Sequence, residues 1–211
     1  MSRALPILFN TEMVRAILDG RKDATRRIVK GFIPDDAVWG YTAFTPKGYI
    51  SCRGTFADGY GEKFFKLPCE PGNILYVRET WKKAPNGYYY YEDWQRNDIA
   101  DVTKWEPSIH MPKEAARIWL KVTNVRVERL QDITPKGAES EGVGNLFYDD
   151  IGYGEKNYGT EVDTEYGIAK EQFAWLWEST IKKSDLDRYG WDANPWVWVI
   201  EFERCEKPEG V

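Results

Sequence analysis

Residues 10–30 read NTEMVRAILDGRKDATRRIVK, and this stretch predicts how the chain begins to fold. Thr11 is predicted to cap a short helix, because its hydroxyl can accept a hydrogen bond from an amide of the first turn. Gly20 is predicted to end that helix, since glycine readily adopts the left-handed conformation found after a helix. The apolar stripe of the helix recurs at helical spacing and comprises Met13, Val14, Ile17 and Leu18.

Positive charge is concentrated directly after this helix, where four of seven consecutive residues are basic: Arg21, Lys22, Arg26 and Arg27. The whole chain is acidic, with 29 Lys and Arg against 34 Asp and Glu and a net charge of −5. A protein that coats duplex DNA is therefore not expected. The local reversal of sign instead predicts a site for an anion or a nucleic-acid phosphate.

The length of 211 residues predicts a single domain, 1–211, with long insertions at about 31–68, 82–112 and 143–168. The three cysteines show no CxxC spacing and the chain has one histidine, so neither a disulfide framework nor a metal site is expected, and no cofactor. The sequence shows no signal segment and no long apolar run. A cytoplasmic protein without membrane contact is predicted.

Alternating, β-rich segments predict a small mixed barrel of the α+β class. A phase shift near Asn124 predicts a β-bulge in one long strand. The last strand is predicted to bury one face, formed by Trp196, Trp198, Ile200 and Phe202. The predicted strands are residues 5–9, 73–81, 117–130 and 196–203, and the predicted helices are 134–142 and 169–182.

Aromatic residues are abundant, with ten Trp and thirteen Tyr. This number exceeds what a core of this size needs, so some rings are predicted to line an exposed groove where they could stack on bases. The alternative is that the rings fill the barrel and its loops. The tyrosines at 88–91 predict an exposed hairpin.

Arg78 and Glu79 end the predicted strand 73–81. An adjacent arginine and glutamate at the end of a barrel strand form either a structural pair, a solvated rim or part of a ligand site. We retain both as candidate substrate-binding residues.

Lys22 and Thr25 are three positions apart, so the ammonium and the hydroxyl can face one cavity. A threonine hydroxyl becomes a nucleophile when a base removes its proton, and a lysine can be that base if burial lowers its pKa. A carboxylate such as Glu141 could pass a proton to a leaving amine. The alternative is a solvated lysine, a threonine that caps a turn and a glutamate at the end of a surface helix.

The segment Gly20-Arg21-Lys22-Asp23-Ala24-Thr25-Arg26-Arg27 resembles the signature turn of the ASCH domain family, which has a PUA-like barrel fold and shows G-x-K-T-x-T-x-R after its first helix. The later family element A-x-x-E-G corresponds to Ala138-Glu139-Ser140-Glu141-Gly142. The chain is most similar to the larger members carried by phages and prophages. The resemblance spans most of the chain and is specific in the turn.

The resemblance implies a pocket for a nucleobase, a nucleoside or RNA, and an amidohydrolase that removes the acetyl group of N4-acetylcytidine. Carried over to this chain, the catalytic residues are Lys22, Thr25 and Glu141. Phosphate or oxyanion contacts would come from the neighbouring arginines, namely Arg21, Arg26 and Arg27.

One residue of the turn departs from the family pattern. Asp23 replaces the usual threonine, and its carboxylate is predicted to raise the pKa of Lys22. Two alternatives to an enzyme remain open: an RNA-binding module without catalysis, and an accessory protein whose aromatic insertions contact another protein.

Overall fold

The computed structural model describes residues 4–96, 104–143 and 164–209. The strands are β1 Ala4–Leu8, β2 Ala24–Ile28, β3 Val38–Gly40, β4 Tyr49–Phe56, β5 Gly59–Lys66, β6 Ile74–Arg78, β7 Trp81–Ala84, β8 Gly87–Tyr90, β9 Trp119–Arg129 and β10 Trp196–Cys205. The α-helices are α1 Thr11–Leu18, α2 Tyr91–Arg96, α3 Pro135–Ser140, α4 Thr164–Thr180 and α5 Leu186–Tyr189. Short 3-10 turns lie at Ser108–His110, Lys113–Ala115, Leu130–Asp132 and Lys183–Asp185.

The central sheet has five strands in the order β1-β6-β9-β10-β2. The β1–β6 pair is parallel and the other pairs are antiparallel. The register between β9 and β10 shifts at Glu201/Phe202, so that Thr123 of β9 has no partner. The bulge predicted near Asn124 is therefore confirmed, one residue away.

The α+β class is confirmed, but the described strands form open sheets and none closes into a barrel. β1 and β2 are the two edges of the central sheet. A side chain links these edges, since Arg27 Nη2 of β2 donates to the Leu8 carbonyl of β1 over 2.9 Å. The sheet thus curls until its edges approach.

Both faces of β10 are buried. One face, with Trp198, Ile200 and Phe202, belongs to the main core inside the curled sheet. The other face, with Val197 and Val199, packs on α3 and α4. The predicted inward face of this strand is confirmed, and α4 explains why the opposite face is apolar as well.

Helix α1 begins one residue earlier than predicted. Asn10, not Thr11, is the N-cap, and its Oδ1 accepts a hydrogen bond from Met13 N at 2.8 Å. Gly20 follows the helix with φ of +74°, as predicted. Among the described residues, no helix is both long and apolar enough to span a membrane.

The first insertion is more ordered than its sequence suggests. None of the predicted strands falls within residues 31–68, but β3, β4 and β5 form a three-stranded antiparallel sheet there. Trp39 joins this sheet to the core, with its ring 5.8 Å from that of Trp196 and 6.2 Å from that of Trp198.

The second insertion contains the predicted tyrosine hairpin, formed by β7 and β8. Its rings pack on one another: Trp105 lies 5.3 Å from Tyr91 and 5.8 Å from Trp94. These rings therefore pack against one another and do not form a row of exposed stacking surfaces. Most of the predicted third insertion lies outside the described residues.

Candidate functional site

The turn after α1 is attached to the end of α3. The main-chain amides of Arg21 and Lys22 both donate to the Ala16 carbonyl, at 2.8 and 3.1 Å. The amide of Asp23 donates to the Ser140 carbonyl at 3.0 Å, and Lys22 and Glu141 form an isolated β-bridge. Two segments far apart in the sequence are thereby joined at main-chain level.

Gly142 permits this close approach. Its φ of +87° favours glycine, and a Cβ atom built there would lie 2.7 Å from Ala16 Cβ and 3.2 Å from Lys22 Cβ. Helix α3 itself starts as predicted, with Thr134 Oγ1 accepting a hydrogen bond from Gly137 N and Pro135 in the first turn. The capped start of α3 therefore fixes the position of the helix, and Glu141, which follows its last residue, lies against the turn.

Lys22 is completely buried and its ammonium has three acceptors. Nζ donates to the Ala24 carbonyl at 2.7 Å, to the Glu141 carbonyl at 2.9 Å and to Glu141 Oε2 at 2.7 Å. The Lys22 side chain is 0% exposed and that of Glu141 is 4% exposed. All three N–H groups of a charged lysine are therefore satisfied.

Desolvation lowers the pKa of Lys22, against the opposing effect of the Glu141 carboxylate, and Arg27 and Arg26 lower it further. Asp23 is exposed and is not among the groups that shift this pKa. The prediction that Asp23 raises the pKa of Lys22 is therefore wrong, because the carboxylate that faces the amine is Glu141.

Arg26 extends this ion pair into a group of four charges. Its Nη1 lies 3.2 Å from Glu141 Oε1, and its Nη2 lies 2.5 Å from Glu128 Oε1 on β9. We call Lys22, Arg26, Glu128 and Glu141 the Lys22 cluster. Two cations face two carboxylates, so the buried charge is balanced within the cluster.

Thr25 lies in β2 between these cations and is 1% exposed. Among the residues that the structure describes, none forms a hydrogen bond with its Oγ1. Lys22 and Thr25, whose ammonium and hydroxyl could face one cavity by their spacing, thus form no hydrogen bond with each other. A buried hydroxyl without a partner destabilises a fold by about 1–3 kcal/mol, so its presence needs an explanation.

A cavity of about 240 Å³ lies against Thr25 and Glu141. Arg26 and Arg27 line the same cavity. The facing wall is apolar and comes mainly from α1 and α4, with Met13, Phe173, Leu176, Trp177 and Ile181. The cavity therefore combines a nucleophile-type side chain, a carboxylate, two guanidinium groups and aromatic rings, as small-molecule sites commonly do.

The other two arginines of the turn differ in their partners. Arg21 lies 3.3 Å from Asp19 Oδ2 and donates to the Gly142 carbonyl at 2.9 Å. Arg27 donates to the carbonyls of Leu8 and Arg26, and its guanidinium lies 5.3 Å from the centre of the Phe9 ring. Desolvation lowers the pKa of Arg27, opposed by Glu141.

Arg78 and Glu79 are not brought to this cavity. Arg78 Nε donates to the Met111 carbonyl at 2.7 Å. Glu79 is buried and forms two hydrogen bonds of 2.9 Å with Arg117, which also bonds Asp93. Glu79 thus pairs with Arg117 and not with Arg78, and Arg78 lines a separate cavity together with Leu8 and Arg27.

Sequence reasoning did not single out the aromatic wall. Phe173 and Trp177 fall within the predicted helix 169–182, but only the packing of α4 beside β2 places them in the same cavity as Thr25. Within the described ranges, no group of three His, Cys, Asp or Glu side chains could hold a metal ion.

Compared with protein-family models, curated proteins and solved structures, the chain matches none.

Proposed function

We propose that this protein is an ASCH-type amidohydrolase that removes the acyl group from an N4-acylated cytosine nucleoside. The observation that carries the proposal is the buried Lys22–Glu141 pair, next to an unpartnered Thr25 hydroxyl at the wall of a cavity. The curled sheet whose edges meet through Arg27 and Leu8 supports a PUA-like assignment of the fold.

Proton transfer within the pair produces the reactive state. When Lys22 gives its proton to Glu141, the neutral amine keeps two N–H groups, which the carbonyls of Ala24 and Glu141 can both accept. The protonated Glu141 carboxyl then turns from Nζ toward the leaving group, and the Thr25 hydroxyl replaces it as the donor to the Nζ lone pair, which acts as the base. The lowered pKa of Lys22 favours this neutral form.

In the first half-reaction, Thr25 Oγ1 forms a bond to the carbonyl carbon of the substrate amide, and its proton moves to Lys22 Nζ. The neighbouring guanidinium of Arg26 stabilises the oxyanion. The oxyanion then collapses, the C–N bond breaks, and Glu141 gives its proton to the leaving amino group. The products are cytidine and an acyl ester on Thr25.

In the second half-reaction, a water attacks the ester carbon and gives its proton to the Glu141 carboxylate. The C–O bond to Thr25 breaks, and the Lys22 ammonium returns a proton to Oγ1. The acid is released and the neutral Lys22–Glu141 pair is restored. No metal or cofactor takes part in these steps.

The alternative of an RNA-binding module has less support. Its main argument was the basic turn, but three of the four cations there face carboxylates: Arg21 with Asp19, Lys22 with Glu141 and Arg26 with Glu128 and Glu141. Charges that are matched inside the protein attract phosphate backbones weakly.

The test is release of acetate from N4-acetylcytidine and its phosphorylated forms, followed by proton NMR with the purified protein. Lys22→Met is expected to abolish release. The matched control is Lys170→Met, which removes another lysine that donates to a carbonyl, that of Gln131 at 2.6 Å, outside the cavity. The proposal fails if no acylated cytosine compound is hydrolysed, or if Lys22→Met retains full activity.

A further inference from the structure

A second cavity, of about 410 Å³, adjoins the first and has a different lining. The two share Met13, Arg27 and Thr180. The polar side chains of the larger cavity are hydroxyls, an amide and a guanidinium: Asn10, Thr11, Arg27, Thr80, Ser108 and Thr180. Although the chain is acidic overall, no carboxylate of the described residues lines this cavity.

Arg27 sets the electrostatics of this space. In the described part of the chain its hydrogen-bond partners are two main-chain carbonyls, whereas Arg21 and Arg26 each face carboxylates. Arg27 also lines a third cavity, of about 290 Å³. A positive charge whose direct hydrogen-bond partners are carbonyls, beside a polar cavity lined by no described carboxylate, favours an anionic ligand.

The first turn of α1 adds to the positive electrostatic potential in the larger cavity. Asn10 and Thr11 lie at the N-terminus of the helix and line the larger cavity. The dipole of the helix places partial positive charge at that end, which is where phosphate groups bind in other proteins. Hydroxyl groups around the cavity can donate further hydrogen bonds to phosphate oxygens.

We propose that the substrate is a phosphomonoester of the cytosine nucleoside, with its phosphate held by Arg27 in the larger cavity and its base against Phe173 and Trp177 in the smaller one. This inference rests on the proposed function for the identity of the base. A nucleoside spans the shared boundary at Met13 and Arg27, so the acyl group lies at Thr25 while the phosphate lies at the α1 end.

The test is isothermal titration of the protein with cytidine, cytidine 5′-monophosphate and cytidine 3′-monophosphate, none of which can be deacylated. At least one monophosphate is expected to bind about 10-fold or more tightly than cytidine, as expected for a charge-assisted contact. Arg27→Gln should remove this advantage, so that the ratio of monophosphate affinity to cytidine affinity falls to about one. Comparison of the two isomers identifies the phosphorylated hydroxyl.

The control is Arg204→Gln, because Arg204 also donates to a carbonyl, that of Leu18, but lines none of these cavities. If Arg27→Gln is poorly folded, Ser108→Ala is used, and a loss of at least half of the phosphate advantage is expected.

The inference is overturned if neither monophosphate binds more tightly than cytidine, or if the advantage persists without Arg27. Hydrolysis of the acetylated nucleoside with no phosphate preference would leave the proposed function standing and refute this inference. Phosphate-dependent binding without any acetate release would support the phosphate site and refute the proposed deacylation.

Discussion

Two clusters of charged side chains among the described residues are built differently. The Lys22 cluster lies beside a cavity, and the Lys22–Glu141 pair at its centre is 0% and 4% exposed. The second group, which we call the Arg117 cluster, consists of Glu79, Asp93 and Arg117 and lines none of the cavities described above.

The cation differs between the two clusters. Burial acts to lower the pKa of both cations, but in Arg117 the hydrogen bonds to Glu79 and the charges of Glu79 and Asp93 outweigh it and raise the pKa. In Lys22 desolvation prevails and the pKa is lowered. Arg117 is thus a permanent cation, whereas Lys22 can lose its proton.

This difference indicates what separates a structural ion pair from a reactive one. Burial and short distances occur in both clusters. Only the Lys22 cluster combines a cation that can titrate, an unpartnered hydroxyl and a cavity. The following substitutions test whether those three features carry the function.

The largest effect is expected at Thr25. Thr25→Val keeps the shape of the side chain and removes the proposed nucleophile, so acetate release should fall by about 10⁴-fold or more. Because the hydroxyl has no hydrogen-bond partner, the free energy of unfolding should stay constant or rise. Urea denaturation and NMR measure both quantities. The control is Thr55→Val, whose hydroxyl bonds Asp36 at 2.7 Å far from the cavity, and which should keep full activity.

A pair of isosteric substitutions compares the clusters directly. Glu141→Gln should lower turnover by about 10³-fold, because the amide cannot shuttle a proton between Lys22 and the leaving group. Glu79→Gln should leave turnover within about two-fold, since the Arg117 cluster has no part in the reaction. Equal losses in both variants would show that stability, not proton transfer, links Glu141 to activity.

The stability of the Arg117 cluster is the next test. Glu79→Ala removes the two hydrogen bonds that Glu79 accepts from Arg117. Because Arg117 stays charged, the free energy of unfolding should fall by about 3 kcal/mol. The exposed pair Lys121–Glu203 provides the control, and Lys121→Ala should cost only about 0–0.5 kcal/mol. A cost near zero for Glu79→Ala would mean that Asp93 alone balances Arg117.

The smallest effects are opposite slopes of stability against pH. Between the lowered pKa of Lys22 and its ordinary value of 10.5, the unfolded chain binds a proton that the folded chain does not, so the free energy of unfolding rises with pH. Desolvation raises the pKa of Glu79 above its ordinary value of 4.5, although Arg117 opposes this shift. Between pH 4.5 and the raised pKa, the folded chain holds a proton that the unfolded chain has lost, so the free energy of unfolding falls as pH rises.

Each slope should disappear in one variant. Lys22→Met should remove the alkaline rise, and Glu79→Gln should remove the acidic fall, in denaturation curves recorded across pH. Identical pH profiles for wild type and Lys22→Met would contradict the lowered pKa of Lys22.

Much of the site could be predicted because local rules apply to its parts. The Thr134-Pro135 cap fixes the start of α3, and the resemblance of residues 20–27 and 138–142 to a known motif predicted that Lys22 and Glu141 lie together. The balancing of Arg26 by Glu128 could not be predicted, because it depends on β10 lying between β2 and β9. For the same reason the sequence predicted an anion site at the basic turn, although most of the cations there pair with carboxylates of the protein itself.

The first insertion shows a different limit. In β4 and β5 the alternation of polar and apolar residues is interrupted by Gly54 and Gly61, which face each other in the register, so the pattern alone predicted little. The strands are held by their partner strand and by the aromatic contacts of Trp39, which are tertiary effects.

The glycine after α3 has an evolutionary consequence. At position 142 even a methyl group would collide with Ala16, whereas at Gly20 nothing lies within 4 Å and asparagine could adopt the same backbone conformation. Natural variants of this chain that keep the Lys22–Glu141 contact should therefore retain glycine at position 142. Position 20 should accept other residues, such as asparagine. A lineage that replaces Gly142 would be expected to abandon the lysine soon afterwards.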